Sequence, residues 1–233
     1  MAIAHRATTT ASDDASGDTL TITKPSGTTS GDVLVASVGM SASVQCNTPT
    51  GWTLVLHQNG EASQSSNVTM FYRVCGDSEP ADYTFTWPSS AVRRRGGIQC
   101  YSGVDNDNPS ACTPVGIYKE IGGNQDGKIY YGPVNLATTD CMLIGTVAFR
   151  NSARTVTPWS GGTERWELAR AAGNDQLVTS SGDTGTLEGA FDTTDTTNTY
   201  VTILWALRPA SGEPPPVAEP ARLPYRALLG VGR

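Results

Sequence analysis

A chain of 233 residues with a net charge of −6 has no broad attraction for phosphate backbones, which argues against nucleic acid as a partner. Only 16% of the residues are charged, and few charges together with many β-branched residues favour strands over helix bundles. No run reaches the about 18 apolar residues of a membrane helix, and residues 1–14 lack the apolar core of a secretory signal. We therefore expect that the protein does not associate with a membrane and that it is synthesised in a cytosol.

Short runs of alternating apolar and polar residues, separated by Gly, Pro, Ser, Thr, Asn or Asp, follow one another along the chain. This two-residue period is typical of strands with unlike faces. Residues 1–17 are predicted to form an arm or a first edge segment. Further strands are predicted at 19–23, 33–38, 51–58, 68–74, 83–87, 115–121, 128–136, 141–149, 155–159, 163–168, 176–179, 186–191 and 200–207.

The segment Phe71–Trp87 is the clearest of these patterns and predicts two strands joined by a polar turn. Tyr83, Phe85 and Trp87 share one side of the second strand and are expected to face inward. Residues 163–172 are ambiguous, because their propensity also allows two or three turns of helix.

About a dozen strands at spacings of roughly 8–15 residues predict an all-β fold. We expect an antiparallel two-sheet β-sandwich of the jelly-roll kind, over residues 18–208. After Leu207 the composition changes, and residues 209–233 contain six prolines. This segment is predicted to be an extended C-terminal arm that lies on another surface, either the protein's own or that of a partner. Its apolar and charged anchors are predicted to be Leu223, Tyr225, Arg226, Leu228 and Leu229.

The five cysteines are odd in number and lack the CxxC spacing of a zinc site, so free thiols in a reducing compartment are predicted. A bridge between Cys100 and Cys112 remains open as an alternative.

Residues for catalysis are sparse, with His5 near the start of the chain and His57 at a strand end. No GxSxG, HExxH, Walker or GxGxxG motif accompanies them, so we expect a protein that is not an enzyme. Asp105 and Asp107 form the best cluster of oxygen ligands for calcium, but the loop spacing of a calcium site is missing, and such a cluster is usually a turn built on Asx side chains. No cofactor is expected.

Three consecutive arginines, Arg93 to Arg95, precede an apolar run. In an acidic chain without interleaved aromatics they are interpreted as a solvated strand edge or a protein interface, not a phosphate site. Aromatic residues outside the predicted core suggest an alternative function, the stacking of sugar rings. The candidates for this glycan platform are Tyr130, Tyr131, Trp159 and Trp166.

Four stretches together resemble a pattern found in surface proteins of tailed bacteriophages and prophages: GDVLVASV (31–38), TPTGWTLV (48–55), FYRV with SEPADYTFTW (71–87) and YSGVD (101–105). The resemblance implies a structural protein of the virion surface, of the head-decoration or minor-tail type, made in the host cytoplasm. It implies other virion proteins, major capsid or tail proteins, as partners, and a homo-oligomer. The alternative is a carbohydrate-binding module that attaches to host surface glycans. The shared motifs are structural and transfer no catalytic residue.

Overall fold

The fold is known from a computed structural model that describes residues 2–60, 66–120, 127–150, 155–191 and 199–211. Within these ranges the chain forms strands and turns without a helix, and none of it could cross a membrane as a helix. Every strand pair is antiparallel. The predicted all-β antiparallel sandwich is confirmed.

Seven strands make an N-terminal unit: β1 (Ala4–Asp13), β2 (Gly17–Thr23), β3 (Val33–Gly39), β4 (Thr53–Asn59), β5 (Asn67–Val74), β6 (Asp82–Ala91) and β7 (Arg94–Ser102). Ten strands make a C-terminal unit: β8 (Val115–Glu120), β9 (Lys128–Tyr131), β10 (Asn135–Leu136), β11 (Cys141–Phe149), β12 (Val156–Thr157), β13 (Thr163–Leu168), β14 (Ala171–Val178), β15 (Gly182–Asp183), β16 (Leu187–Phe191) and β17 (Thr199–Leu207).

Two five-stranded sheets lie face to face in the middle of the molecule, one from each unit. The N-terminal inner sheet has the order β1-β7-β3-β5-β4, and the C-terminal inner sheet has the order β13-β14-β11-β17-β8. A smaller outer sheet covers the far side of each, β2-β6 on one and β12-β16-β9 on the other. The inner sheets are therefore covered on both faces, which explains why β11 and β17 are buried along their whole length.

The two units share one folding plan. Read from its other edge, the C-terminal inner sheet has the order β8-β17-β11-β14-β13, which matches β1-β7-β3-β5-β4 strand for strand. The outer pair β2-β6 corresponds in the same way to β9-β16. The amino-acid sequences of the two units show no recognisable repeat that would predict this duplication.

The register of the strands repeats as well as their order. Ala36 of β3 pairs with Phe71 and Ile98, and Gly145 of β11 pairs with Asn174 and Leu204 in the corresponding places. A β-bulge interrupts the edge strand of each unit at the same point, between Leu54 and Leu56 in β4 and between Glu164 and Trp166 in β13. Because β-bulges are specific local features, a bulge at the same point of both edge strands indicates that the likeness between the two units did not arise by chance.

A pseudo-two-fold axis relates the units across the central core. Ser37 and Thr146 occupy equivalent positions of β3 and β11, and their hydroxyl groups meet each other at 2.8 Å. Contacts between the inner sheets also come in related pairs, for example β4 with β8 and β1 with β13. Equivalent surfaces that face each other in this way are the arrangement of an isologous dimer, here within one chain.

A buried polar network joins the units within this central core. Asp175 of β14 accepts hydrogen bonds from Tyr101 Oη of β7 at 2.9 Å and from Arg165 Nε at 2.8 Å. Gln99 Nε2 in turn donates to Tyr101 Oη at 2.7 Å. Burial, and then the charge of Asp175, raise the pKa of Tyr101, so its hydroxyl remains a donor. The network connects two units whose other contacts there are mainly apolar.

The two strands predicted within Phe71–Trp87 are present, but the prediction that they pair with each other as a hairpin is wrong. Instead, β5 pairs with β3 and β4 in the inner sheet, and β6 pairs with β2 in the outer sheet. The polar segment between them therefore crosses from one layer to the other. The inward placement of Tyr83, Phe85 and Trp87 is confirmed, because all three are buried in the core between those layers.

The structure also decides between the alternatives that the sequence left open for residues 163–172 and 1–17. The helix considered for residues 163–172 is not formed, since β13 and β14 lie there as adjacent strands joined by a turn at 169–170. Within residues 1–17, β1 is the edge strand of the N-terminal inner sheet and pairs with β7 over its length.

Substitution of Gly145 tests the packing between the C-terminal sheets. A Cβ atom at Gly145 would lie 2.5 Å from Cζ3 of Trp159, so the ring packs in the space of the missing side chain. We expect Gly145→Ala to lower the free energy of unfolding by about 1–3 kcal/mol, measured by urea denaturation. Gly76→Ala is the matched control, because the nearest atom there is 3.9 Å away. Equal stability of the two variants would contradict this packing argument.

Candidate functional site

The two ends of the molecule differ in what they carry. One end of the molecule is here called the terminal pole, and there Val104 forms an antiparallel β-bridge with Pro209. Ala210 N donates a hydrogen bond to Gly103 O at 2.9 Å, and Ala2 also lies against Gly103. At the other end, the arginine pole, β1 ends and β7 begins, with Asp13 paired to Arg94. The strand β7 runs from one pole to the other.

The arginine triplet lies at the entrance to β7. Arg93 occupies the turn after β6 with a φ of 60°, a left-handed conformation that costs a residue with a Cβ about 1–2 kcal/mol. Arg94 and Arg95 are only 3% and 7% exposed. The interpretation of the triplet as a solvated strand edge is therefore wrong for these two residues. Their burial is compensated by ion pairs with Asp13 at 2.5 Å and Asp14 at 2.6 Å.

A fourth arginine comes to this place from the C-terminal unit. Arg170 occupies the turn between β13 and β14 and, with Arg93, Arg95 and Asp14, lines a cleft of about 480 Å³, here called the arginine cleft. Its remaining lining residues, Val92 and Ala169, are uncharged. Burial, and then the like charges of Arg93 and Arg95, lower the pKa of Arg170, while Asp14 raises it. The cleft thus has a positive potential at the seam between the units.

A small inner cavity of about 20 Å³ shares the walls of the cleft at Arg93, Arg95 and Arg170. That volume holds about one water molecule. Four polar atoms of its lining residues are buried without a hydrogen-bond partner: Arg95 Nε, Trp166 Nε1, Ser66 Oγ and Asn67 Oδ1. Both nitrogen atoms are obligate donors. The residues that line the cleft and the cavity thus combine positive charge with buried donors that lack partners.

Sequence reasoning singled out the triplet but missed Arg170 and Asp14. The partners of the buried arginines are distant in sequence, since 81 residues separate Asp13 from Arg94 and Asp14 from Arg95. The adjacent Asp13 and Asp14 were the available signal, but a sequence does not show which strand edge they meet.

The prediction of a glycan platform is wrong for three of the four residues that were expected to form it. Tyr131, Trp159 and Trp166 are 0%, 2% and 5% exposed and pack in the cores, so they present no ring face to solvent. The ring of Trp159 packs edge-on to Tyr131, and its Nε1 donates to Gln176 Oε1. Tyr130 is half-buried, with Lys119 Nζ 3.7 Å from the centre of its ring.

Trp166 is enclosed by the glycines of both units. A Cβ atom at Gly97 would lie 2.6 Å from the indole Cε2, and one at Gly173 would lie 2.1 Å from Nε1. The ring therefore occupies a slot between the two inner sheets that only glycine allows. This explains why an aromatic residue on an edge strand is buried.

The calcium candidates Asp105 and Asp107 lie in a turn after β7. Asp105 Oδ1 accepts hydrogen bonds from the backbone nitrogen atoms of Asp107 and Asn108, both at 3.1 Å. This is an Asx turn, in which the carboxylate stabilises the backbone. Across the described ranges no group of three or more His, Cys, Asp or Glu side chains is placed to hold a metal ion.

The thiols are free and protonated. All five cysteines are unpaired, which confirms the predicted free thiols, and the alternative bridge between Cys100 and Cys112 is not formed. Burial raises the pKa of Cys46 and Cys75 to about 12, and the pKa of Cys100 and Cys112 to about 11. A thiol in such surroundings is a poor nucleophile at neutral pH.

The histidines make structural contacts. His57 Nδ1 lies 2.8 Å from Thr69 Oγ1, and His5 Nε2 lies 2.8 Å from Thr8 Oγ1. Burial lowers the pKa of both rings from 6.5, and the charge of Arg165 lowers that of His5 further.

These shifts predict a loss of stability in mild acid. Below pH 6.5 the unfolded chain binds protons on both rings, while the folded protein resists protonation until its lower pKa values are reached. We expect the urea midpoint to fall between pH 7.5 and pH 5.5. In the double variant His5→Gln, His57→Gln the fall should be smaller. The same fall in both proteins would show that other groups cause it.

The predicted anchoring residues Leu223, Tyr225, Arg226, Leu228 and Leu229 lie outside the described residues. The sandwich itself extends beyond the predicted boundary at 209, because Pro209 and Ala210 bond to the N-terminal unit. Fold and site together define an all-β protein of two pseudo-symmetric sandwich units with an arginine cleft at their seam. Comparisons with models of protein families, with curated proteins and with solved structures find no match.

Proposed function

We propose that this chain is a non-enzymatic structural protein of a tailed-bacteriophage virion, a capsid decoration or minor tail protein on the particle surface. Its partners are major capsid or tail proteins, and it is present in several copies that associate with one another. It is held on the particle through residues 212–233. The sequence resemblance to phage surface proteins motivates the proposal.

The observation that carries the proposal is the contact of Ala2 and Ala210 with the same residue, Gly103, at the terminal pole. The first and last described segments of the chain therefore meet there, and the proposed anchor follows the last of them in sequence. Attachment through this one end leaves the arginine pole and both outer sheets free. The segment that starts there is rich in proline, which lowers the entropy lost when an extended chain binds a surface.

The packing of the sandwich also suits a particle component. Three buried clusters lie between successive sheets, and the thiols within them are protonated. Such a protein can fold in a reducing cytosol and keep the same structure outside the cell.

Deletion of residues 212–233 tests the proposal in particles from the phage or cell that encodes the chain. We expect the full chain in purified particles and its loss after the deletion, measured by quantitative mass spectrometry. The urea midpoint should stay unchanged, because the deletion spares the bridge between Val104 and Pro209.

Leu177→Ser is the matched control, since Leu177 is an exposed residue of the sandwich and its loss should leave incorporation unchanged. Absence of the full chain from particles would refute the structural role. Equal amounts of the full and shortened chains in particles would refute the anchor alone.

A further inference from the structure

The geometry points to the arginine cleft as a binding site for a divalent oxyanion, phosphate or sulfate, either free or as a group on a larger ligand. The site lies at the pole opposite the proposed anchor and does not depend on the virion role. Each unit contributes to it, Arg93 and Arg95 from one and Arg170 from the other.

The charge of the cleft selects the ligand class. Three arginines and one aspartate line it, which leaves a net charge of +2 (3 − 1) in a chain whose total is −6. A phosphate carries about −1.5 to −2 at neutral pH and a sulfate −2, so either neutralises this charge, whereas a single carboxylate leaves half of it. Guanidinium groups also match the oxygen spacing of these anions.

Two residues that line the cleft or the cavity carry a buried hydrogen-bond donor without a partner. Arg95 is held by Asp14 at Nη2 and by the carbonyl of Arg93 at Nη1, while its Nε has no partner. Trp166, a lining residue of the adjoining cavity, likewise has an Nε1 without a partner. A buried donor without an acceptor costs about 1–3 kcal/mol, and a bound oxyanion or its water of hydration removes that cost.

The backbone at Arg93 supports the same conclusion. Glycine adopts a φ of 60° freely, whereas arginine adopts it at a cost, so this turn keeps a charged side chain where stability favours glycine. Residues with φ strained in this way cluster at ligand sites. The side chain of Arg93 is exposed and lines the cleft, where it can contact an anion.

Calorimetric titration of the full chain at pH 7 and low ionic strength tests the site. Sodium phosphate and sodium sulfate should bind, and acetate should bind at least several-fold more weakly. Arg170→Gln and Arg93→Gly should each weaken phosphate binding about tenfold, the effect of one charged hydrogen bond. Asp14→Asn should tighten it, because Asp14 competes for Arg95.

Stability separates the loss of a ligand contact from damage to the fold. Arg93→Gly should raise the urea midpoint while it weakens binding, since it removes the strained conformation. Lys24→Gln is the control for charge, because Lys24 follows the far end of β2 and its loss should leave binding unchanged.

Titration with a sugar phosphate in place of inorganic phosphate shows whether the site binds a free anion or an anionic group on a larger ligand. Tighter binding of glucose 6-phosphate would indicate a group carried by a larger ligand, and equal binding would indicate recognition of the anion alone. No heat of binding with phosphate or sulfate would overturn the proposal. Equal affinities of the unmodified chain and Arg170→Gln would overturn it as well.

Discussion

Asp175→Ala should lower the free energy of unfolding by about 3–5 kcal/mol, the typical cost of removing one partner of a buried ion pair. The carboxylate is 1% exposed and accepts hydrogen bonds from Tyr101 and Arg165. Without it, a buried tyrosine hydroxyl and a half-buried guanidinium lose their acceptor. The loss falls on the interface between the units, so unfolding should also become less cooperative.

Urea denaturation followed by tryptophan fluorescence measures this effect. The matched control is Asp183→Ala, because Asp183 is an exposed residue of the short strand β15 and its side chain accepts only from Gly185 N among the hydrogen bonds described. A loss below about 1 kcal/mol for Asp175→Ala would mean that water replaces the carboxylate, and the network would then not hold the units together.

Cutting the chain between Asn106 and Asp107 should give two halves that associate with each other. Each half keeps one outer core between its own two layers, but alone it exposes the apolar face of its inner sheet. Each valine, leucine, isoleucine or methionine buried in that face contributes about 1.5–3 kcal/mol. We therefore expect each half alone to aggregate or self-associate, and the mixture to form a one-to-one complex.

An N-terminal half should pair with a C-terminal half in preference to its own kind, because only the unlike pair satisfies the buried carboxylate of Asp175. In the intact chain Asp175 faces Tyr101, whose equivalent in the C-terminal unit is Leu207. A dimer of C-terminal halves would place the carboxylate against leucine and leave a buried charge unpaired. Light scattering of the separate and mixed halves measures the masses. Two stable monomers with separate cooperative transitions would contradict the duplicated architecture.

The sequence predicted the strands better than their partners. Alternation showed which residues of β6 face inward, because that property depends only on neighbours along the chain. It did not show that β5 and β6 belong to different sheets, since pairing depends on contacts between distant segments. The outer pair β2-β6, for example, joins Thr21 to Thr84.

The duplication was hidden by exchanged residue types. Gln99 pairs with Val35 in one unit, and the equivalent pair in the other is Trp205 with Ile144. Phe71 is similarly replaced by Asn174. The backbone plan is kept while the sequence repeat is lost, and the buried amide of Asn174, for example, donates to Tyr131 Oη at 3.1 Å. The arginine cleft was missed for a related reason, because its charges come from three separate segments.

The course of β7 has a mechanical consequence. The strand begins at Arg94 and Arg95, beside the arginine cleft, and ends at the Gly103 contact with Ala2 and Ala210. A pull between the two poles therefore acts along β7 and along its neighbours β1 and β3. Its hydrogen bonds to those strands are perpendicular to the pull and must break together, in shear, not one after another. A molecule held at one pole and loaded at the other would resist extension along β7, the strand that joins the two poles.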